Sequence, residues 1–333
     1  MVDSPKMITL NYTSASRTGL TIAFFAQGLA WPALSVLALG GDVFLSLKAI
    51  AWVHLVALGW LATFATSVVM SAFEQRHPHR ISALLSGALV LFLFGWVGIC
   101  VSLWSERPLA LRGAGIAVAA GLAGMLGPIV VDALSHRANR TITGYGLAAA
   151  ASFFLITAAV MGLFNAFALG SDQADVLRWL PQTHAHVALL AWVAVLLAAA
   201  RLRMFSALRP SGSPSGLLRV AAIAWFVVAA ALGVATLLGA HLDVAYGFAL
   251  MIGCIGNLAN AAAIDVVLPN DKPRRRTAAF SVSYQCAAAL AVIGIVWLQP
   301  HLIVTAGLLG LASWFVLALW KTWNSTQLPS TQH

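Results

Sequence analysis

The sequence predicts an all-α integral membrane protein of about ten transmembrane helices, with the N and C termini both cytoplasmic. Three observations predict it. Only 9% of the residues are charged and 61% are hydrophobic, where a soluble globular domain carries roughly 25% charged residues. The hydrophobic residues fall in runs of span length, since about 20 residues cross a bilayer as a helix. The basic residues sit in short segments between those runs and favour one side of the stack. The net charge of +9 is therefore a matter of topology, and nucleic acid is excluded as a partner. The lipid bilayer takes its place. The mean hydropathy of +0.89 agrees.

Residues 1–18 form a cytoplasmic N-terminal segment. It is long for the charged region of a cleaved leader, and the run after it is span-length rather than a core of roughly 7–15 residues. Ten spans follow at 19–41, 48–72, 81–104, 109–135, 143–170, 182–203, 217–239, 242–268, 277–299 and 302–323. They make a single transmembrane bundle over 19–323, and 324–333 is a cytoplasmic tail. Pro108, Pro181, Pro269 and Pro300 fall at or between runs, and RPSGSPSG (209–216) is a flexible loop. Of the 19 lysines and arginines, only Lys48, Arg107, Arg112 and Arg178 lie on the outer side. The asymmetry places the protein as multi-pass in a bacterial-type cytoplasmic (inner) membrane. Cys100, Cys254 and Cys286 lie singly in apolar segments without a CxxC and read as small buried hydrophobes.

An echo runs through the spans. Residues 54–60 read HLVALGW and residues 186–192 read HVALLAW. The offset of 132 residues is four spans, so a four-span parallel repeat is open. A weaker version, HLDVAYGF (241–248), opens the eighth span.

The histidines sort by side. His77, His79, His136 and His333 are cytoplasmic, whereas His54, His184, His186 and His241 lie near the outer ends of spans 2, 6 and 8. At about 1.5 Å per residue, His54 sits roughly 8–10 Å below the start of its span. The four therefore share one layer. His184 and His186 are two residues apart, about 200° on a helix, so their rings face nearly opposite directions. One small ion held from a single helix favours i,i+4 spacing instead. The pair suits two sites, one on each side of the helix, and a flat cofactor such as haem makes that useful. His54, from a separate helix, is placed to supply an opposite axial ligand. A lone histidine at a span end is more often interfacial or hydrogen-bonded structure than a ligand. Four in one layer, in similar frames, shift the balance to ligation. His301, in a loop after Pro300, reads as structural.

Among the other intramembrane polar residues, Asn257 and Asn260 share a face at i,i+3 and read as glue between helices. Asp132 and Asp265 lie near cytoplasmic ends, within reach of arginines or water. The run GAGIAVAAGLAGMLG (113–127) suits close helix packing. Most tryptophans read as belt and packing residues, with Trp60 and Trp192 placed to flank a cofactor.

The frame HAHVALLAW (184–192) resembles a helix in subunit I of haem–copper oxidases, most closely the cbb type. There an H-x-H followed by small residues and Trp carries the axial ligands of two haems. The resemblance implies that His184 is a high-spin haem ligand and His186 a low-spin haem ligand. It implies that His54 is the other low-spin ligand, and that the haems lie toward the outer face. The chain departs from the family in having fewer spans. It also lacks the adjacent histidine pair of the active-site copper, and the frames of His241 and His301 do not match the copper motifs. Copper thus has no full ligand set, and oxygen reduction is not carried over. The chain looks like a shortened relative, with a looser likeness to haem–copper membrane proteins of nitric oxide tolerance.

The resulting expectation is a membrane protein binding one or two b-type haems. His54 and His186 would be axial to one, and His184 and His241 would serve a second haem or metal. Its work would be electron transfer, with a quinone or cytochrome as redox partner, or diatomic-gas (nitric oxide or oxygen) chemistry or sensing. Whether it is an oxidoreductase stays open at this point. The rival reading is a cofactor-free transporter of small solutes or metal. The repeat and the glycine-rich helices favour it, and the lack of a charged midplane cluster opposes it. A non-catalytic scaffold subunit has no positive sign in the sequence.

Overall fold

Loops of only a few residues join several of the apolar runs, and they turn sharply enough to fold each run back beside the last. In this computed structural model, residues 14–41, 46–76, 82–135, 144–168, 183–184, 187–188, 216–267 and 274–326 are described. Among them all regular structure is helical. The helices are α1 (Ser14–Leu39), α2 (residues 47–76), α3 (Ser82–Trp104), α4 (Pro108–Ser135) and α5 (Gly144–Ala168), then α6 (Gly216–Leu237), α7 (residues 243–267), α8 (Arg274–Val296) and α9 (Pro300–Thr326). Among the described residues, 9 helices are long and apolar enough to cross a membrane, as a multi-pass membrane protein requires. They correspond to every expected span except the sixth, 182–203. That span, with His186 and Trp192, lies outside the described residues apart from Thr183, His184, Val187 and Ala188, which are helical.

Local chemistry explains the ends. Pro108 and Pro300 open α4 and α9, where a missing N–H costs nothing and the fixed φ suits the first turn. Three helices close in the same way. Arg107 N–H reaches Ser102 O at 2.8 Å after α3, Ala240 N–H reaches Ala235 O at 3.0 Å after α6, and Gln299 N–H reaches Gly294 O at 2.7 Å after α8. Each closure needs a left-handed residue, the Schellman geometry. Gly239 takes it at φ 99°, but Glu106 and Leu298 take it at 55° and 54°.

Two helices change winding part-way. α2 is α-helical over Leu47–His54, π-helical over Leu55–Ala62 and α-helical again over Thr63–Arg76. α7 is α-helical over Asp243–Phe248, π-helical over Ala249–Gly256 and α-helical over Asn257–Val267. The first π segment overlaps the histidine-led frame 54–60 of the sequence echo, and the second directly follows the frame 241–248.

The chain divides into two units, one of Met1–Phe24 and Val53–Ala207, the other of Phe25–Trp52 and Leu208–His333. In the first, α3 and α4 meet through glycine. A Cβ on Gly121 would stand 2.6 Å from the Phe92 backbone nitrogen, and one on Gly95 would stand 2.6 Å from that of Val118. Within the run 113–127 the close backbone approach falls at Gly121 against Phe92 and at Val118 against Gly95.

In the second unit, α1 and α9 interlock tryptophan with glycine: Trp314 lies on Gly28 and Trp31 on Gly310. Amide side chains tie α7 to its neighbours. Gln285 donates to Asn257 Oδ1 at 2.5 Å, Trp225 Nε1 donates to Gln285 Oε1 at 2.7 Å, and Gln27 donates to Asn260 Oδ1 at 2.9 Å. Asn257 and Asn260 are both buried. They act from one face of α7 toward α8 and α1, the interhelical bonding that polar residues provide between membrane helices.

Candidate cofactor site

His54 sits where α2 changes winding, at the N-cap of the π segment and half-buried. At the far junction of the π segment, Thr63 N–H reaches Leu58 O in the i→i−5 pattern, and hydroxyl groups add donors to nearby carbonyls. Thr63 Oγ1 donates to Leu58 O at 2.8 Å, Thr66 Oγ1 to Ala62 O at 2.9 Å, and Ser67 Oγ to Thr63 O at 2.7 Å. Trp60, on the same segment, is buried.

His184 is half-buried against α5. Its Nδ1 lies 2.7 Å from Ala158 O. A carbonyl only accepts, so Nδ1 carries the proton and Nε2 keeps its lone pair for a ligand. One turn along α5, Gly162 presents no side chain, and a Cβ there would stand 3.0 Å from His184 Cε1.

The two rings face one another's neighbourhood in the first unit. The His54 and His184 centroids are 6.5 Å apart and their planes differ by 13°. The rings are near-parallel, at a separation within the range of paired aromatic rings.

The other expected ligands are not brought to this pair among the described residues. His186 lies outside them. His241 is exposed in the link between α6 and α7, in the second unit. His301 is exposed at the second residue of α9. The resemblance joins His54 to His186, whereas the ring set beside His54 is that of His184.

Chain comparisons add no name. The chain matches no family model, no curated protein and no solved structure.

The donor set itself can be tested against a haem iron. The 6.5 Å between the two ring centroids is compatible with imidazole donors about 2.0–2.1 Å from a shared metal ion. His184 is held in the tautomer a metal needs, by a second partner on its other nitrogen. Imidazole is a donor type that suits iron. The residues present fit the group. Among the described residues no set of three or more His, Cys, Asp or Glu is placed to hold a metal ion.

Sequence reasoning missed Ala158 and Gly162, although the small residues at i,i+4 in TAAVMG (157–162) are a readable sign of close approach. It also read Arg112 only as an outer charge. Arg112 Nε and Nη2 each donate at 3.4 Å, to Ala166 O and Phe167 O, and its guanidinium stands 5.4 Å from the Phe167 ring centroid. It caps the last turn of α5 and holds the end of the helix on which His184 rests.

Proposed function

We propose that this chain is a haem b protein of the bacterial cytoplasmic membrane, with ten spans in one bundle and both termini inside. One observation carries the proposal: two imidazoles on separate segments lie nearly parallel with their centroids 6.5 Å apart. His54 and His184 would hold the iron, and His186 stays a candidate ligand for a second haem or metal. Bound there, haem would supply one-electron redox chemistry if both axial positions stay filled, or diatomic-gas binding if one opens. The protein's own part is to fix the imidazoles in place and to keep the site dry between apolar helices. A quinone or a cytochrome is the redox partner this reading calls for.

The test is spectroscopic. Protein purified after expression with haem supplied should show reduced haem b bands and a haem b pyridine haemochrome. His54→Ala and His184→Ala should each remove the pigment. Colourless wild-type protein would sink the proposal. Loss of solute uptake in these variants with no spectral change would instead favour a transporter.

A further inference from the structure

We infer that Gly162 is a positioning residue for His184: by lacking a side chain it leaves the Ala158 carbonyl open, and that carbonyl holds the imidazole in the Nδ1-protonated form with Nε2 presented to a ligand. The ligand rests on the haem reading above, whereas the seat itself rests on α5 alone.

In an α-helix the carbonyl of residue 158 already accepts the N–H of residue 162. A second hydrogen bond to it must arrive from the side of the helix, at the oxygen's remaining lone pair. Helical Cβ atoms tilt toward the N-terminus, so a side chain at 162 covers the turn that contains the 158 carbonyl. Glycine uncovers it. The geometry shows how closely the space is used: an added Cβ would stand 3.0, 3.4 and 3.6 Å from His184 Cε1, Nδ1 and Nε2. The first distance is too tight to accept without displacing the ring, and the ring is held by the 2.7 Å bond to Ala158 O. One methyl group therefore trades against one hydrogen bond. Losing the bond frees the tautomer and the ring's orientation. Partners of this kind, behind a ligating histidine, orient the ring and raise its basicity.

The test uses 15N-histidine NMR on the full-length protein in detergent, with the His184 signals assigned by their loss in His184→Asn. In the wild type His184 should be protonated at Nδ1. Gly162→Ala should abolish that signature, while Gly113→Ala, at a glycine with nothing within 4 Å of an added Cβ, should keep it. In haem-loaded protein, Gly162→Ala should raise the midpoint potential and weaken haem binding about 10-fold or more, with Gly113→Ala unchanged. An Nε2-protonated His184 in the wild type overturns the inference even if no Gly162 variant folds. So does a Gly162→Ala protein whose tautomer and potential match the wild type. Should the wild type hold no haem and yet show the Nδ1 signature that Gly162→Ala removes, the seat stands and the haem reading falls.

Discussion

Asn260 shows what a single amide does between membrane helices. Its Oδ1 accepts from Gln27 at 2.9 Å, across 233 positions of sequence, while its Nδ2 is buried without a partner among the described residues. Removing one member of such a pair strands the other in an apolar interior, which costs more than removing both. Asn260→Leu and Gln27→Leu are each expected to lower stability by about 1–2 kcal/mol. The double variant should be less destabilised than the sum of the two. A double-mutant cycle of unfolding in mixed micelles measures it, and strict additivity would mean that the bond contributes nothing. Both residues are legible as intramembrane polar groups, and the i,i+3 spacing of Asn257 and Asn260 is legible as one face. Their partners are not, because pairing across so much sequence is set by which helices become neighbours. His184 is a similar case. Its place as a candidate ligand can be read from the sequence, but the carbonyl behind it belongs to alanine, a residue with no chemistry of its own to notice.

At the scale of the element, helix ends carry the clearest energetic consequence. Leu298 closes α8 in the left-handed region at φ 54°, where glycine closes α6. A β-carbon there costs about 1–2 kcal/mol. Leu298 is also exposed, so little packing opposes its removal. Leu298→Gly should therefore stabilise the protein by up to about 1 kcal/mol, seen as a higher thermal midpoint in detergent. A lower midpoint would show that the Leu298 side chain contributes more at that turn than its strain costs. The spans themselves are legible because hydropathy reports length and apolarity, which suffice to locate a helix in a bilayer. The winding is not. Leu55–Ala62 and Ala249–Gly256 are more hydrophobic than the α-helical stretches around them, but apolarity sets burial and does not separate an i→i−5 pattern from an i→i−4 one.

Across the whole molecule, the distribution of apolar surface argues for the bilayer more directly than the total. α6 is the barest helix: Val227 is 62% exposed and Leu237 88%, a face that water would not tolerate on this scale. Lipid accepts it. Val227 lies at the middle of Gly216–Leu237, so Val227→Lys should cost about 2.5–3.5 kcal/mol of insertion energy. The yield of membrane-extracted protein should fall while Thr236→Lys, near the helix end where a long side chain can reach the interface, is tolerated. Equal yields from both variants would mean that this face does not meet hydrocarbon. The orientation of the stack comes from charge asymmetry in the loops, a property of insertion that no packing contact records.

The winding change in α2 has a consequence for how its side chains are mapped. Residues before Leu55 and residues after Ala62 follow two helical phases, because the turn between them takes up one residue more than an α-helix would. A helical wheel drawn back from Thr63 therefore assigns His54 a direction wrong by about 100°, the angle of one α-helical residue. The bearing of His54 is set by the count of residues through the π segment rather than by their identities. Two chains alike in every apolar residue but differing by one in that count would aim this imidazole at different neighbours.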